Sequence, residues 1–228
     1  MPEAPAWGGF VALLDEADRA AFLQAGRPRR YRAGQALLLA GDHSDHVLCL
    51  LLGGAKISVD TPDGHELLLG IRGQGDLIGE LAAVDAVGST RSANVVALSA
   101  LDTIVLTGDE FRRFLRSHPG AAEALAVTLV RRLRQADRKR IEFGSLDTPR
   151  RVAHVLVDLA ESHGRPTPEG VLIDLPLSQE EVAGLISASR ESVARGLAGL
   201  RDRGLITTAR RAITVLDLAG LRTYAKAF

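Results

Sequence analysis

Cysteine is almost absent: Cys49 is the only one in 228 residues. A single thiol cannot build an internal disulfide framework, nor a cysteine-clustered zinc or iron–sulfur site within one chain. Its neighbours Leu48 and Leu50 predict a buried strand. Long apolar runs are missing too. Stretches such as Val47 to Leu52 fall far short of the roughly 20 residues a membrane-spanning helix needs. The opening MPEAPAWGGF has no basic stretch ahead of its short apolar one, so no membrane partner is expected and a cytoplasmic location is. Lysine is confined to Lys56, Lys139 and Lys226, leaving arginine to supply the rest of the 28 basic side chains. Catalytic signatures are also lacking. There is no nucleophile–base–acid spacing and no Walker loop, Gly73-Gln74-Gly75 is too short a glycine pattern to cradle a dinucleotide, and the six histidines are scattered. His43 and His46 form one close pair, read as solvated rather than metal-binding. Haem ligation by a histidine stays open. No enzyme and no metal site are expected.

Net charge is absent as well, but the formal +0 conceals an asymmetry. Residues 1–120 hold 11 basic and 15 acidic side chains, while residues 121–228 hold 17 and 13, a balance of −4 against +4. A mildly basic C-terminal part is compatible with nucleic acid. With 46% hydrophobic and 25% charged residues the chain has a globular composition.

The periodicity changes along the chain. Leu14, Ala17, Ala21 and Phe22 share a helical face within residues 11–24. Short apolar stretches follow (Ala36–Leu39, Val47–Leu52, Ile57–Val59, Leu67–Ile71, Asn94–Ala97, Thr103–Leu106), separated by Gly34, Gly41-Asp42, Gly53-Gly54, Pro62-Asp63-Gly64 and Gly75-Asp76. Many short strands punctuated by glycine predict a β-sandwich or roll. Phe111–Ser117 reads as a short helix, broken by His118-Pro119-Gly120, and a long helix starts at Ala121. In it Leu125, Leu129, Leu133, Ala136, Arg140 and Phe143 recur at near-heptad spacing among Arg131, Arg132, Arg134, Arg138 and Lys139. That row predicts a dimerisation seam; the alternative is an ordinary helix packed on its own roll. Gly144 ends the pattern, and Ser145 to Pro149 reads as a hinge.

Beyond the hinge, Val152, Val155, Leu156 and Leu159 mark an amphipathic helix over 150–161, followed by a Pro/Gly-rich loop (Gly164 to Gly170) and a short strand, Val171–Leu175. Ser178-Gln179-Glu180-Glu181 is a capping box that starts a helix at Gln179. Ser187-Ala188-Ser189 makes a turn, and Ser189 caps a second helix, Arg190–Arg201, whose Val193, Leu197 and Leu200 face inward. Arg190, Glu191 and Arg195 lie on its exposed N-terminal side. Arginine can donate twice to guanine O6 and N7, and glutamate can accept from cytosine N4. Gly204–Thr208 and Ala212–Val215 read as strands of a wing, with Arg210 and Arg211 between them to meet phosphates.

The stretch LSQEEVAGLISASRESVARGLAGLRDRGLI is similar to the helix-turn-helix of the Crp/Fnr family of bacterial transcription regulators, and GQGDLIGELAAVDAVGSTRSANVVAL resembles that family's cyclic-nucleotide pocket. The likeness runs from about Leu14 to Leu216. It implies an α+β fold: a cyclic-nucleotide-binding-like β-roll over 1–120, a dimerisation helix and hinge over 121–147, and a winged helix-turn-helix over 148–228. It implies a homodimer paired through 121–143 on palindromic double-stranded DNA with TGTGA-like half-sites, with RNA polymerase as a further partner. The DNA-contacting set is Ser178, Gln179, Ser189, Arg190, Glu191, Arg195, Arg210 and Arg211. The effector implied is a cyclic nucleotide, cyclic AMP or cyclic GMP. Gly79, Glu80 and Leu81 would meet its ribose, and the Arg91 fork and Ser92 hydroxyl its phosphate, with loss of Arg91 expected to spare folding. Two positions depart from the family. Ser187 stands where a turn glycine is usual. Ala136 and Asp137 replace a Thr-Ser pair that contacts adenine across the dimer; alanine cannot bond a base, and Asp137 can accept from guanine N1 and N2. A same-fold regulator answering to another effector, or to none, stays open, as does a nucleotide-binding module acting on a partner protein.

Overall fold

A computed structural model describes residues 7–62, 66–85, 90–173, 175–209 and 212–226, and for Phe143 the backbone alone. The chain divides into two compact units, residues 1–59 with 69–135 and residues 60–68 with 136–228.

In the first unit a single 3₁₀ turn, Val11–Leu13, precedes α1 (Glu16–Ala25), so the helix expected over 11–24 is two pieces. Asp15 causes the break: its Oδ1 accepts from Asp18 N at 2.7 Å and caps α1, a role that requires extended backbone there. The strands follow as β1 (Arg27–Tyr31), β2 (Ala36–Leu38), β3 (Val47–Leu52), β4 (Ala55–Asp60), β5 (Glu66–Arg72) and β6 (Leu77–Ile78). A short helix α2 (Glu80–Val84) leads to β7 (Asn94–Ala97) and β8 (Leu101–Leu106), then α3 (Gly108–Ser117) and α4 (Pro119–Ser145). Two four-stranded sheets result, ordered β1-β8-β3-β6 and β2-β7-β4-β5.

Strand β3 shows why its sequence is apolar on both faces. Val47 and Cys49 point to one core with Phe22, Phe111 and Leu125; Leu48 and Leu50 point to another with Tyr31, Val95 and Ala97. Alternation by two residues distributes one run between a helix-covered face and the space between the sheets. The helix side is an aromatic cluster, with Phe22 5.2 Å from Phe10 and 5.3 Å from Phe114 between ring centres. Burial pushes the Cys49 thiol well up from its ordinary range.

Helix α4 begins at Pro119, two residues ahead of the expected start, because the fixed φ of proline suits a first helical turn. Its predicted seam divides. Leu125 is buried in the roll's own core and Leu129 packs against it, whereas Leu133 is 62% exposed. Exposed apolar side chains run instead along Ala126, Val130, Leu133 and Ile141. The core-facing row continues from Leu129 to Arg132, which is drawn in by a partner: Arg132 hydrogen-bonds the Glu80 carboxylate, donates to Leu77 O at 2.8 Å, and lies 3.8 Å from Asp76. Glu80 is only 3% exposed.

In the second unit α5 (Thr148–His163) starts on an Asp147 cap with Pro149 in its first turn, and buries Val152 and Leu156 completely. Next come β9 (Gly164–Thr167), β10 (Gly170–Ile173), α6 (Gln179–Ile186), α7 (Arg190–Asp202), β11 (Ile206–Ala209), β12 (Ala212–Val215) and α8 (Leu218–Lys226). The segment expected as a loop, Gly164 to Gly170, therefore contains β9, paired antiparallel to β10. Like β1, which the sequence reading also missed, it is a proline-bearing edge strand with no apolar alternation. Ser187 adopts φ 46°, left-handed backbone at the turn between α6 and α7. The Asp63-Gly64 turn signal lies outside the described residues.

Two measurements test this packing. Cys49 should resist iodoacetamide in the native protein at neutral pH and react once urea unfolds it; prompt native labelling would contradict its burial. Arg132→Met should destabilise the protein by about 3–5 kcal/mol, since it strands a buried carboxylate. Replacing Glu80 by Leu in the same chain should recover much of that loss in denaturant titrations.

Candidate effector cavity and nucleic-acid interface

A cavity of about 820 Å³ opens within the first unit. Its floor is one sheet, crossed in strand order by Leu38 of β2, Val95 of β7, Ile57 of β4 and Arg72 of β5. Leu129, Arg132 and Leu133 of α4 form one wall, and Gly79-Glu80-Leu81 with Arg91 and Ser92 another. The size and the mixture of an apolar floor with few polar groups suit a small ligand.

Gly79 sits at φ 83°, a conformation that favours glycine. A β-carbon there would lie 2.6 Å from Arg91 Nη1 and 2.8 Å from His46 O. The glycine thus admits the arginine. Arg91, 4% exposed, donates to Gly79 O at 2.9 Å, His46 O at 2.7 Å and Ser44 Oγ at 2.9 Å. Burial lowers its pKa, opposed by Asp45, Glu80 and Asp42. These three bonds knit loop to strand end, so a substitution of Arg91 is expected to cost some stability even where the fold is kept. Leu81 and Ser92 are exposed at the cavity. Glu80 points to Arg132, not Arg91. Ala136 and Asp137 lie a turn beyond Leu133, both exposed, with Asp137 3.7 Å from Arg140.

Two cavity cations escaped the sequence reading. Arg132 had a signal: Leu125, Leu129 and Arg132 follow helical spacing on one face, and a charge on a core-facing row needs a buried partner. Arg72 ends an ordinary strand and carried none. Burial, aided by Arg132, lowers its pKa to about 10.

The second unit presents the other candidate surface. Ser178 and Glu181 form the reciprocal box, with Glu181 N donating to Ser178 Oγ at 3.1 Å and Ser178 N to Glu181 Oε2 at 2.8 Å. Ser189 Oγ caps α7 by accepting from Ser192 N at 3.2 Å. Val193, Leu197 and Leu200 are buried, and Gly196 lets α7 lie against Val152 of α5, where a β-carbon would stand 3.1 Å from its Cγ2. Arg190, Glu191 and Arg195 are left exposed in the first turns of α7, and Ser178 and Gln179 are exposed where α6 begins. Arg195 Nη2 donates to Ser192 Oγ at 2.8 Å. Hydrogen bonds from the Glu191 amide and the Ser189 hydroxyl hold the Glu191 carboxyl below its usual range, keeping it an acceptor at neutral pH. Arg210 and Arg211 lie outside the described residues, between β11 and β12.

Two family models match the chain: a cyclic nucleotide-binding domain over residues 28–118 and a Crp-like helix-turn-helix domain over residues 150–224. The CRP-like cAMP-activated global transcriptional regulator of Mycobacterium tuberculosis is 30% identical over 217 residues, covering 95% of this chain and 96% of that protein. The cAMP-activated global transcriptional regulator Vfr of Pseudomonas aeruginosa is 30% identical over 181 residues, 78% and 84% of the two chains. Among solved structures, a CRP-family transcriptional regulator of Thermus thermophilus superposes with a TM-score of 0.71 at 27% identity, covering 87% of this chain and 97% of that one. The c-di-GMP-responsive global regulator CLP of Xanthomonas campestris shares the fold, with a TM-score of 0.74 at 24% identity over 89% and 100%. Both described units thus have their counterparts in one set of relatives, and the chain belongs to the Crp/Fnr family as a DNA-binding transcription regulator with a ligand-binding domain.

Proposed function

We propose that this regulator is a homodimer whose cavity takes a cyclic nucleotide and whose two α7 helices read a palindromic operator in response. The observation that carries the reading is the cavity itself: a cationic fork and a glycine-bearing wall face Leu129, Arg132 and Leu133 of the helix that continues unbroken to Ser145. The cyclic phosphate is assigned to Arg91 and Ser92 with the Gly79 turn, and the ribose hydroxyl to Glu80 beside Leu81. The relatives described as cAMP-activated support a cyclic nucleotide as the class of effector.

Dimerisation is assigned to residues 121–143, along the exposed apolar row of Ala126, Val130, Leu133 and Ile141. A second copy would bring its Ala136 and Asp137 toward the bound base. Domain limits of 1–120, 121–147 and 148–228 follow from this division of labour. Ligand binding shifts the population between two packings of the helix pair, and Asp147, at the start of α5, is the hinge that re-aims α7. On DNA, Arg190, Glu191 and Arg195 read base edges of TGTGA-like half-sites about 34–36 Å apart. Ser178, Gln179, Ser189, Arg210 and Arg211 contact the backbone. RNA polymerase is the protein partner. No described helix is long and apolar enough to cross a membrane, and the site of action proposed is the cytoplasm.

Selection of bound duplexes from a random pool, with and without cyclic nucleotide, tests the whole reading. A two-fold symmetric site enriched more strongly with nucleotide is expected; indifference to sequence would refute it. Arg195→Ala should weaken binding to the selected site by about 1–3 kcal/mol and relax one base position in gel-shift titrations. Arg91→Gln, assayed where circular dichroism shows it folded, should lose the nucleotide response while still holding DNA nonspecifically.

A further inference from the structure

The cavity contains one cation more than a cyclic phosphate needs. Arg132 is committed to acids, hydrogen-bonded to Glu80 and 3.8 Å from Asp76. Arg91, the fork assigned to the phosphate, already donates to three oxygen acceptors at the Gly79 end. Arg72 is different. Among the described residues its guanidinium donates only to Ile71 O, at 2.9 Å. A guanidinium carries five N–H donors, so most of this fork is available to a ligand. Gly70, two residues back on the same face of β5, leaves it room: a β-carbon there would stand 3.2 Å from Arg72 Nη1.

Position supplies the next step. Leu38, whose Cδ1 lies 3.2 Å from where a Gly79 β-carbon would be, is on β2; Arg72 is on β5, three strands across the floor. At about 4.8 Å per strand the two ends are roughly 14 Å apart at the backbone. The charges acting on Arg91 are Asp45, Glu80 and Asp42, and those acting on Arg72 are Arg132, Asp76 and Glu80. Glu80 directly follows Gly79, whose carbonyl accepts from Arg91, and it pairs with Arg132, which lines the same cavity as Arg72. A nucleotide with its phosphate at Arg91 and its ribose at Glu80 extends its base toward Arg72.

We infer that Arg72 reads the Hoogsteen edge of a guanine base, which makes cyclic GMP, rather than cyclic AMP, the preferred effector; this rests on the proposal that the cavity holds a cyclic nucleotide. Guanine offers two acceptors on that edge, N7 and O6, matched to the two parallel donors of an arginine fork. Adenine offers N7 beside the N6 amino group, which turns its own donors toward the cation. With its pKa near 10, Arg72 stays cationic at neutral pH.

Calorimetric titration of the full-length protein with cyclic GMP, cyclic IMP and cyclic AMP tests the inference. Cyclic IMP keeps N7 and O6 but lacks the N2 amine. Cyclic GMP and cyclic IMP should bind alike, and each about 10- to 100-fold tighter than cyclic AMP. Arg72→Leu should bring the three affinities within about threefold of one another by weakening the purine-6-oxo ligands while leaving cyclic AMP unchanged. Arg72→Lys, which keeps the charge and loses the fork, should retain only part of the preference, and it serves if the leucine variant does not fold. Cyclic AMP binding as tightly as cyclic GMP, or a ratio untouched by either variant, overturns the role of Arg72 and leaves the nucleotide reading standing. Binding of none of the three overturns both.

Discussion

The contact between Arg132 and Glu80 is the interaction on which the sensor depends. Glu80 is almost wholly out of water and Arg132 largely so, and the buried carboxylate could not stay there alone. The ion pair's energetic return over a well-packed apolar pair is small or negative, so its value lies elsewhere. Glu80 opens α2 directly after the Gly79 turn, and Arg132 lies on α4 one turn past the last core leucine. The pair therefore fixes the register of the long helix against the wall of the cavity. Any ligand that competes for Glu80 must alter that register or supply its own partner for Arg132, which gives the proposed effector a differential contact between two states.

The C-terminal unit works by a different economy. Nearly every helix start in it is set by a short polar side chain: Asp147 for α5, Ser178 for α6 and Ser189 for α7. Local caps place the first turns of α6 and α7 independently of remote packing, and the exposed Arg190, Glu191 and Arg195 inherit that placement. Glu191 gains twice from its position, since its own amide and the capping Ser189 hydroxyl also keep it ionised.

This difference explains what the sequence made visible. Caps, turns and helical spacing are local, and α5, α6, α7 and the strands β3, β7 and β12 all stand where spacing and turn chemistry place them. The cavity wall at Gly79-Glu80 and Arg91-Ser92 was legible through its likeness to a known family. What stayed hidden was decided by tertiary partners. Edge strands β1 and β9 carry no alternation because one of their sides is solvent. The apolar row on α4 is shared between a core and an exposed face, and only the position of the roll determines which leucine goes where. Arg72 looks like any strand-end arginine until three neighbouring strands make it the far end of a pocket floor.

The sharing of α4 also limits how the molecule can be taken apart. Ala121, Ala124 and Leu125 close the aromatic core around Phe22 and Phe111, although they follow the last strand of the roll by some 15 residues. A fragment trimmed just after α3 would keep every strand and still uncover that core to water, so the smallest piece able to fold by itself must carry the helix that the second unit also uses.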